Sequence, residues 1–429
     1  MLAFVIILAS CLFIFKNQRY LLLIFSFTAS TSDSLVITEL LTHQFSLFPR
    51  VMEMLLFVAA FIGIWQNRKR LEKLQKRYIQ LSIIFIICIA VISMVKYGME
   101  LNMLDIVARI INFSVQYGPV IFVLLLSTLH TFDFKRYLYL FLGSHILLTI
   151  LVMYGPYINF YYLEFFKYAY WHLNDFSSVP NISDPVLIRG DVLKTLGNKY
   201  LYFVDSCFHN ANILGFYAGS FAFIFLLDYL NAKRKLLSVI LFIIGIILWI
   251  DAGTKAPMIA ILVVIFISYY KSLKKNILLA ILIIVLFPIS IYMVYYAYNN
   301  IFVNSINISL ESRQELIVEE FDFLLKHFFL GQTLKENITS PHQLFLLYGT
   351  SYGIIVMLLS FWLMYIRPLI DTINHYSISI LGIYLLLFFM SITDNFTAIS
   401  LYMLLFTYLI YECMNNKILN KIKNGTVVA

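Results

Sequence analysis

Thirteen apolar runs of 15 to 24 residues divide this chain, near 1–15, 20–37, 50–65, 79–95, 106–129, 137–155, 211–231, 236–250, 256–270, 276–297, 345–366, 377–393 and 396–412. Their lengths cluster around the roughly 20 residues that a helix needs to cross the hydrocarbon of a bilayer. Lipid offers no partners to free backbone N–H and C=O groups, so each crossing run has to be helical. A membrane barrel would instead need alternating strands of about ten residues, a pattern that does not occur here. The expected fold class is therefore all-α, a polytopic integral membrane protein of 12–13 transmembrane helices. Composition agrees. Hydrophobic residues make up 61% of the 429, charged residues 13%, and the mean hydropathy is +0.86, whereas a soluble domain is about a quarter charged.

The net charge of +8 raises nucleic acid as a partner, but its distribution argues against one. Basic residues gather in short segments: KNQR (16–19), QNRKRLEKLQKR (66–77), FKR (134–136), AKRK (232–235), KSLKK (271–275) and NKILNKIK (416–423). Counted alternately across the apolar runs, all of these fall on one side. Together with Arg367 they hold 20 of the 31 basic residues. By the positive-inside rule that side is the cytoplasm. Two long segments, 156–210 and 298–344, then lie outside, as does the N-terminus. The domain expectation is one membrane domain over 1–429 with these two outer loops. Residues 1–15 lack a basic n-region and a small-residue cleavage site, so they read as a retained helix rather than a signal peptide. The four cysteines, Cys11, Cys88, Cys207 and Cys413, show no paired spacing, so neither a disulfide framework nor a metal site is expected.

The first outer loop contains YYLEFFKYAYWHLNDF (161–176), whose aromatic crowding suits an element lying at the interface. The second contains ESRQELIVEEFDFLLKHFFLG (311–331), in which Leu316, Phe323 and Leu324 recur at helical spacing. That pattern predicts an amphipathic outer helix with Gly331 as its C-cap.

Cations on the outer side run against the charge bias. They are Arg50, Lys96, Arg109, Lys167, Arg189, Lys194, Lys199, Lys255, Arg313, Lys326 and Lys335. In IDAGTKAPMIAI (250–261), Lys255 precedes a helix opened by Pro257. It either snorkels to the interface or helps the helix N-terminus to hold an anion. In SRQE (312–315), Ser312 and Glu315 have the capping-box spacing. Arg313 then falls in the first turn, where a cation opposes the helix dipole. It is either a solvated surface residue or shares an anion with the helix start. SPHQLFLLYGTSYG (340–353) puts His342 at the outer start of an apolar helix. It serves there as a cap or as a proton acceptor near neutral pH. Gly349 and Gly353, four apart in that helix, would permit close helix approach. In CFHNANILGFYAG (207–219), His209, Asn210 and Asn212 stand at another outer helix start. Capping explains Asn210, and contact with a substrate hydroxyl is the alternative.

In order, HNANILG (209–215), AGTKAP (252–257), SRQEL (312–316), FFLGQ (328–332) and SPHQLFLLYGTSYGI (340–354) resemble the bacterial O-antigen polymerase and O-antigen ligase superfamily. The resemblance covers about residues 200–360. Two positions depart from the family pattern. Lys255 follows Thr254 where the family usually has Arg after Ser, and Gln343 follows His342 where it usually has Asn. The resemblance implies an inverting, metal-independent glycosyltransferase without a cofactor. It would act on undecaprenyl-diphosphate-linked oligosaccharide at the outer face of the bacterial cytoplasmic (inner) membrane. Lys255, Arg313 and Arg189 would hold the diphosphate, and His342 would act as base or orienter with Arg313 in the catalytic pair. His209, Asn210, Asn212 and Glu315 would be further substrate contacts. The implied partners are the lipid-linked substrate, a chain-length regulator and a flippase, with no nucleic acid. Arg189, Lys194 and Lys199 form a second basic outer surface, which favours a repeat-unit polymerase over a ligase to lipid A-core. A polysaccharide flippase is the rival from another class, against which no inverted repeat is visible.

Overall fold

Apolar side chains at every helical phase make most of these segments cohere as helices that pack on one another. A computed structural model of the protein describes residues 2–16, 44–98, 100–154, 194–196, 199–201, 211–230, 235–252, 256–273, 317–333, 343–393 and 399–423. The first helices are α1 (Leu2–Lys16), α2 (Phe48–Asn67), α3 (Lys73–Tyr97), α4 (Met103–Gln116), α5 (Pro119–Thr128) and α6 (Phe134–Tyr154). There follow α7 (Ala211–Leu230), α8 (Lys235–Ala252), α9 (Ala256–Leu273) and α10 (317–326). The last four are α11 (Leu344–Tyr352), α12 (Ile354–Asn374), α13 (Ile378–Thr393) and α14 (Ile399–Lys423).

The described residues are helical apart from turns and one short antiparallel ribbon, β1 (Lys194–Leu196) with β2 (Lys199–Leu201), in which Lys194 pairs with Leu201. The ribbon was not expected from periodicity. Its sequence signal is the dipeptide Gly197-Asn198 between the two strands, a common hairpin connection. Four described helices are long and apolar enough to cross a membrane: α2, α3, Ile213–Leu230 within α7, and α12. A fifth is counted if α4 and α5 form one bent span. Along α3, Ile84, Ile87, Val91 and Met94 are exposed at helical spacing, and along α8 so are Leu236, Ile240, Ile243 and Ile247. Apolar stripes that turn away from the core suit a lipid surround. The expected runs 20–37 and 276–297 lie outside the described residues.

Polar contacts tie several of the basic segments into one end of the bundle. Gln75 donates to the Leu126 carbonyl at 2.9 Å, Tyr78 to Asp371 at 2.8 Å and Lys135 to Asp228 at 3.0 Å. Asn416 donates to the His375 carbonyl at 2.9 Å. Asp371 is only 2% exposed and takes both guanidinium bonds of Arg367, at 2.6 and 2.9 Å. The pairing offsets the cost of a buried charge. The ends holding 66–77, 134–136, Arg367 and the start of the C-terminal basic tail therefore meet.

Two expected single helices are broken, each at a glycine in the left-handed region. The run 106–129 bends by 63° between α4 and α5, where Gly118 has φ +89° and Pro119 opens α5. The run 345–366 does not continue as one helix. It reverses at Gly353 (φ +83°). The Phe345 ring lies 5.8 Å from Phe361 and 5.9 Å from Tyr365, near the midpoint of α12. A Cβ on Gly349 would come within 3.1 Å of Met357. α11 is thus a half-length arm folded back on α12. This corrects the expectation that Gly349 and Gly353 share one helix and that the helix begins at its outer end. Its first residue, Leu344, is fully buried.

Candidate functional site

At the end of the bundle opposite those basic segments, α2, α3, α4 and the α11–α12 turn enclose an open cavity of about 690 Å³. Arg50, Lys96 and Arg109 line it, with Glu53, Tyr97, Tyr352 and Gln332. Each cation comes from a separate helix. Arg50 stands in the first turn of α2, just after Pro49, where it opposes the helix dipole. Lys96 stands in the last turn of α3. Asn102 caps α4 by accepting from the Asp105 N–H at 2.9 Å, and Asp105 in the first turn complements the dipole. Arg109, one turn further along α4, lines the cavity.

Aromatic rings frame the cations. Lys96 Nζ donates to the Ser351 carbonyl at 2.9 Å, and lies 4.9 Å from the Tyr97 ring and 5.5 Å from the Tyr352 ring. The Arg109 guanidinium stands 5.4 Å from Tyr97. Phe113 packs edge-on against Tyr352 at 4.5 Å, and Tyr348 donates to the Tyr117 carbonyl. Such faces favour cations by their quadrupole.

The segment 317–333 reaches the same cavity through Gln332. After α10, in which Glu320 and Leu324 are buried while Val318, Phe321 and Leu325 are exposed, Gly331 takes φ +66°. A Cβ there would sit 2.6 Å from Thr350 and Ser351 backbone, so glycine permits this close approach. The Gln332 N–H donates to the Thr350 carbonyl at 2.6 Å, and the Ile354 N–H to the Phe328 carbonyl at 2.8 Å. These bonds use backbone groups freed by the Gly353 reversal.

Glu53 is the residue that sequence reasoning missed. It is 4% exposed, lines the cavity one turn beyond Arg50, and has no hydrogen bond or close ion pair among the described residues. Its signal was present: a carboxylate inside an apolar run is a functional candidate by default. Arg50, Lys96 and Arg109 were legible as cations set apart from the basic segments, but nothing in their spacing brings them together.

Of the residues singled out in the sequence, Arg189, His209, Asn210, Lys255, Arg313, Glu315 and His342 lie outside the described residues. Asn212 lies in the first turn of α7. Pro257 stands in the first turn of α9 as expected. Among the described residues no group of His, Cys, Asp or Glu could hold a metal ion. No family model matches the chain, and neither a curated protein nor a solved structure is similar to it. The resemblance to the O-antigen polymerase and ligase superfamily therefore rests on the quoted residues alone.

Proposed function

We propose that the protein is a glycosyltransferase that polymerises oligosaccharide repeat units carried on undecaprenyl diphosphate, for an O-antigen, capsule or exopolysaccharide. The site would face the outside of the bacterial cytoplasmic membrane. One observation carries this reading: the cavity has the polarity of an amphiphile. Three cations, Arg50, Lys96 and Arg109, outnumber the two carboxylates, Glu53 and Asp105, and line it together with Met54 and Leu104, apolar side chains 57% and 82% exposed. In a membrane those two would meet lipid tails. A ligand that suits both has an anionic head and a long chain, as a polyprenyl diphosphate does.

The chemistry follows from the leaving group. The acceptor hydroxyl attacks the anomeric carbon and a new C–O bond forms. The bond from that carbon to the diphosphate oxygen breaks, and the diphosphate departs with the electron pair. Cations at the interface stabilise that charge. Lys255, Arg313 and Arg189 are proposed for the same task near the reacting sugar. On the resemblance alone, His342 is proposed to take the hydroxyl proton, with His209, Asn210, Asn212 and Glu315 as sugar contacts. A single displacement inverts the anomeric centre, and neither metal nor cofactor enters the scheme. Two basic outer regions, the cavity and the segment with Arg189, Lys194 and Lys199, suit an enzyme with two lipid-linked substrates. That favours a polymerase over a ligase to lipid A-core, with a flippase and a chain-length regulator as working partners.

A transporter of the same lipid is the second reading. It is favoured by the span broken by 63° at Gly118, since broken helices beside charged groups recur in transporters. Purified protein in proteoliposomes, given undecaprenyl-diphosphate-linked repeat units, separates the readings. A polymerase yields a ladder of lengthened glycan on the lipid. A ligase yields product only with lipid A-core added, and a transporter moves the lipid across the bilayer with no new glycosidic bond.

A further inference from the structure

We infer that Glu53 is the group in the cavity that recognises the sugar next to the diphosphate, so that the site takes a glycosyl diphosphate lipid in preference to the bare diphosphate. This rests on the proposed function and deepens it. Glu53 stands within a candidate membrane span, is 4% exposed and lines the cavity. A buried carboxylate is costly unless hydrogen-bond donors reach it. Among the described residues none does. Arg50, Lys96 and Arg109 share the cavity, yet none makes an ion pair with it among the described residues, and Lys96 donates to the Ser351 carbonyl instead. A ligand seated in the cavity would bring such donors to Glu53. Ionised phosphate carries none and is repelled by the carboxylate. Hydroxyl and amide groups on the first sugar carry several. The cations thus hold the charged part of the head, and Glu53 disfavours a head that lacks the sugar.

The test uses the full-length protein in lipid nanodiscs and two probes, undecaprenyl diphosphate and undecaprenyl diphosphate bearing one N-acetylhexosamine. The wild-type protein should bind the sugar-bearing lipid about tenfold or more tightly, the range for hydrogen bonds to a charged group. Glu53→Ala should bind the two lipids alike, and should bind the bare lipid at least as well as wild type because one repelling charge is gone. Glu53→Gln should keep part of the preference, because its amide oxygen still accepts. An undiminished preference in Glu53→Ala, or no preference in wild type, overturns the role of Glu53 and leaves the proposed function standing. Failure of wild type to bind either lipid contradicts the proposed function itself. If Glu53→Ala loses the bare lipid as well, Glu53→Gln decides: bare-lipid binding with the full wild-type preference overturns the inference, and a reduced preference supports it.

Discussion

Arg109 shows how a single side chain acquires meaning only in three dimensions. It is exposed on α4, which alone suggests a solvated cation. It stands beside the Tyr97 ring and lines the cavity with Arg50 and Lys96. If these cations hold a diphosphate, Arg109→Ala should weaken binding of undecaprenyl diphosphate about tenfold or more, while membrane abundance stays at the wild-type level. Arg109→Lys should recover part of the affinity, because the charge remains and the bidentate fork is lost. Unchanged affinity in Arg109→Ala, measured on the protein in nanodiscs, would leave Arg109 a surface residue. Sequence could flag the sign and side of this charge. It could not reveal the partners, because Arg50 and Arg109 are 59 positions apart and no local periodicity links them. Glu53 was visible as a carboxylate inside an apolar run, but its burial beside the three cations was not, because that depends on how α2, α3 and α4 pack.

At the scale of elements, most helices were legible because their apolar runs are long and end in basic or polar segments. The breaks at Gly118 and Gly353 were not. A half-length arm folded back on its neighbour has the same hydropathy as half of a straight span, so composition cannot distinguish SPHQLFLLYGTSYGI as one crossing from the same residues as a hairpin. What distinguishes them is φ +83° at Gly353, with the Phe329 carbonyl packed where a Cβ would stand. Gly353→Ala should therefore cost about 1–3 kcal/mol from the backbone alone, with a further cost for displacing Phe329. The expected outcome is a lower midpoint of thermal unfolding in detergent and loss of lipid binding at the cavity, since Ser351 and Tyr352 line it. A straight helix would tolerate Gly353→Ala or gain from it, so an unchanged or raised midpoint would contradict the hairpin.

For the molecule as a whole, contacts gather the described ends of several basic segments at one end of the bundle, and the cavity opens at the other. With the four native cysteines replaced, a cysteine introduced at Ser178 or Thr333 should react with a membrane-impermeant thiol reagent in cells with a permeable outer layer. A cysteine at Lys73 should not. Labelling at Lys73 with none at the other two would invert the orientation and put the cavity on the cytoplasmic face. The central claim is that this cavity receives a lipid diphosphate. Its most direct test is photolabelling of the purified protein with a polyprenyl diphosphate bearing a photoreactive group beside the diphosphate, with the modified peptides mapped by mass spectrometry. Label should fall within Phe48–Leu56 and Leu104–Phe113, and excess undecaprenyl-diphosphate-linked oligosaccharide should displace it. Displaceable label confined to other segments, with none in these two, would contradict the claim.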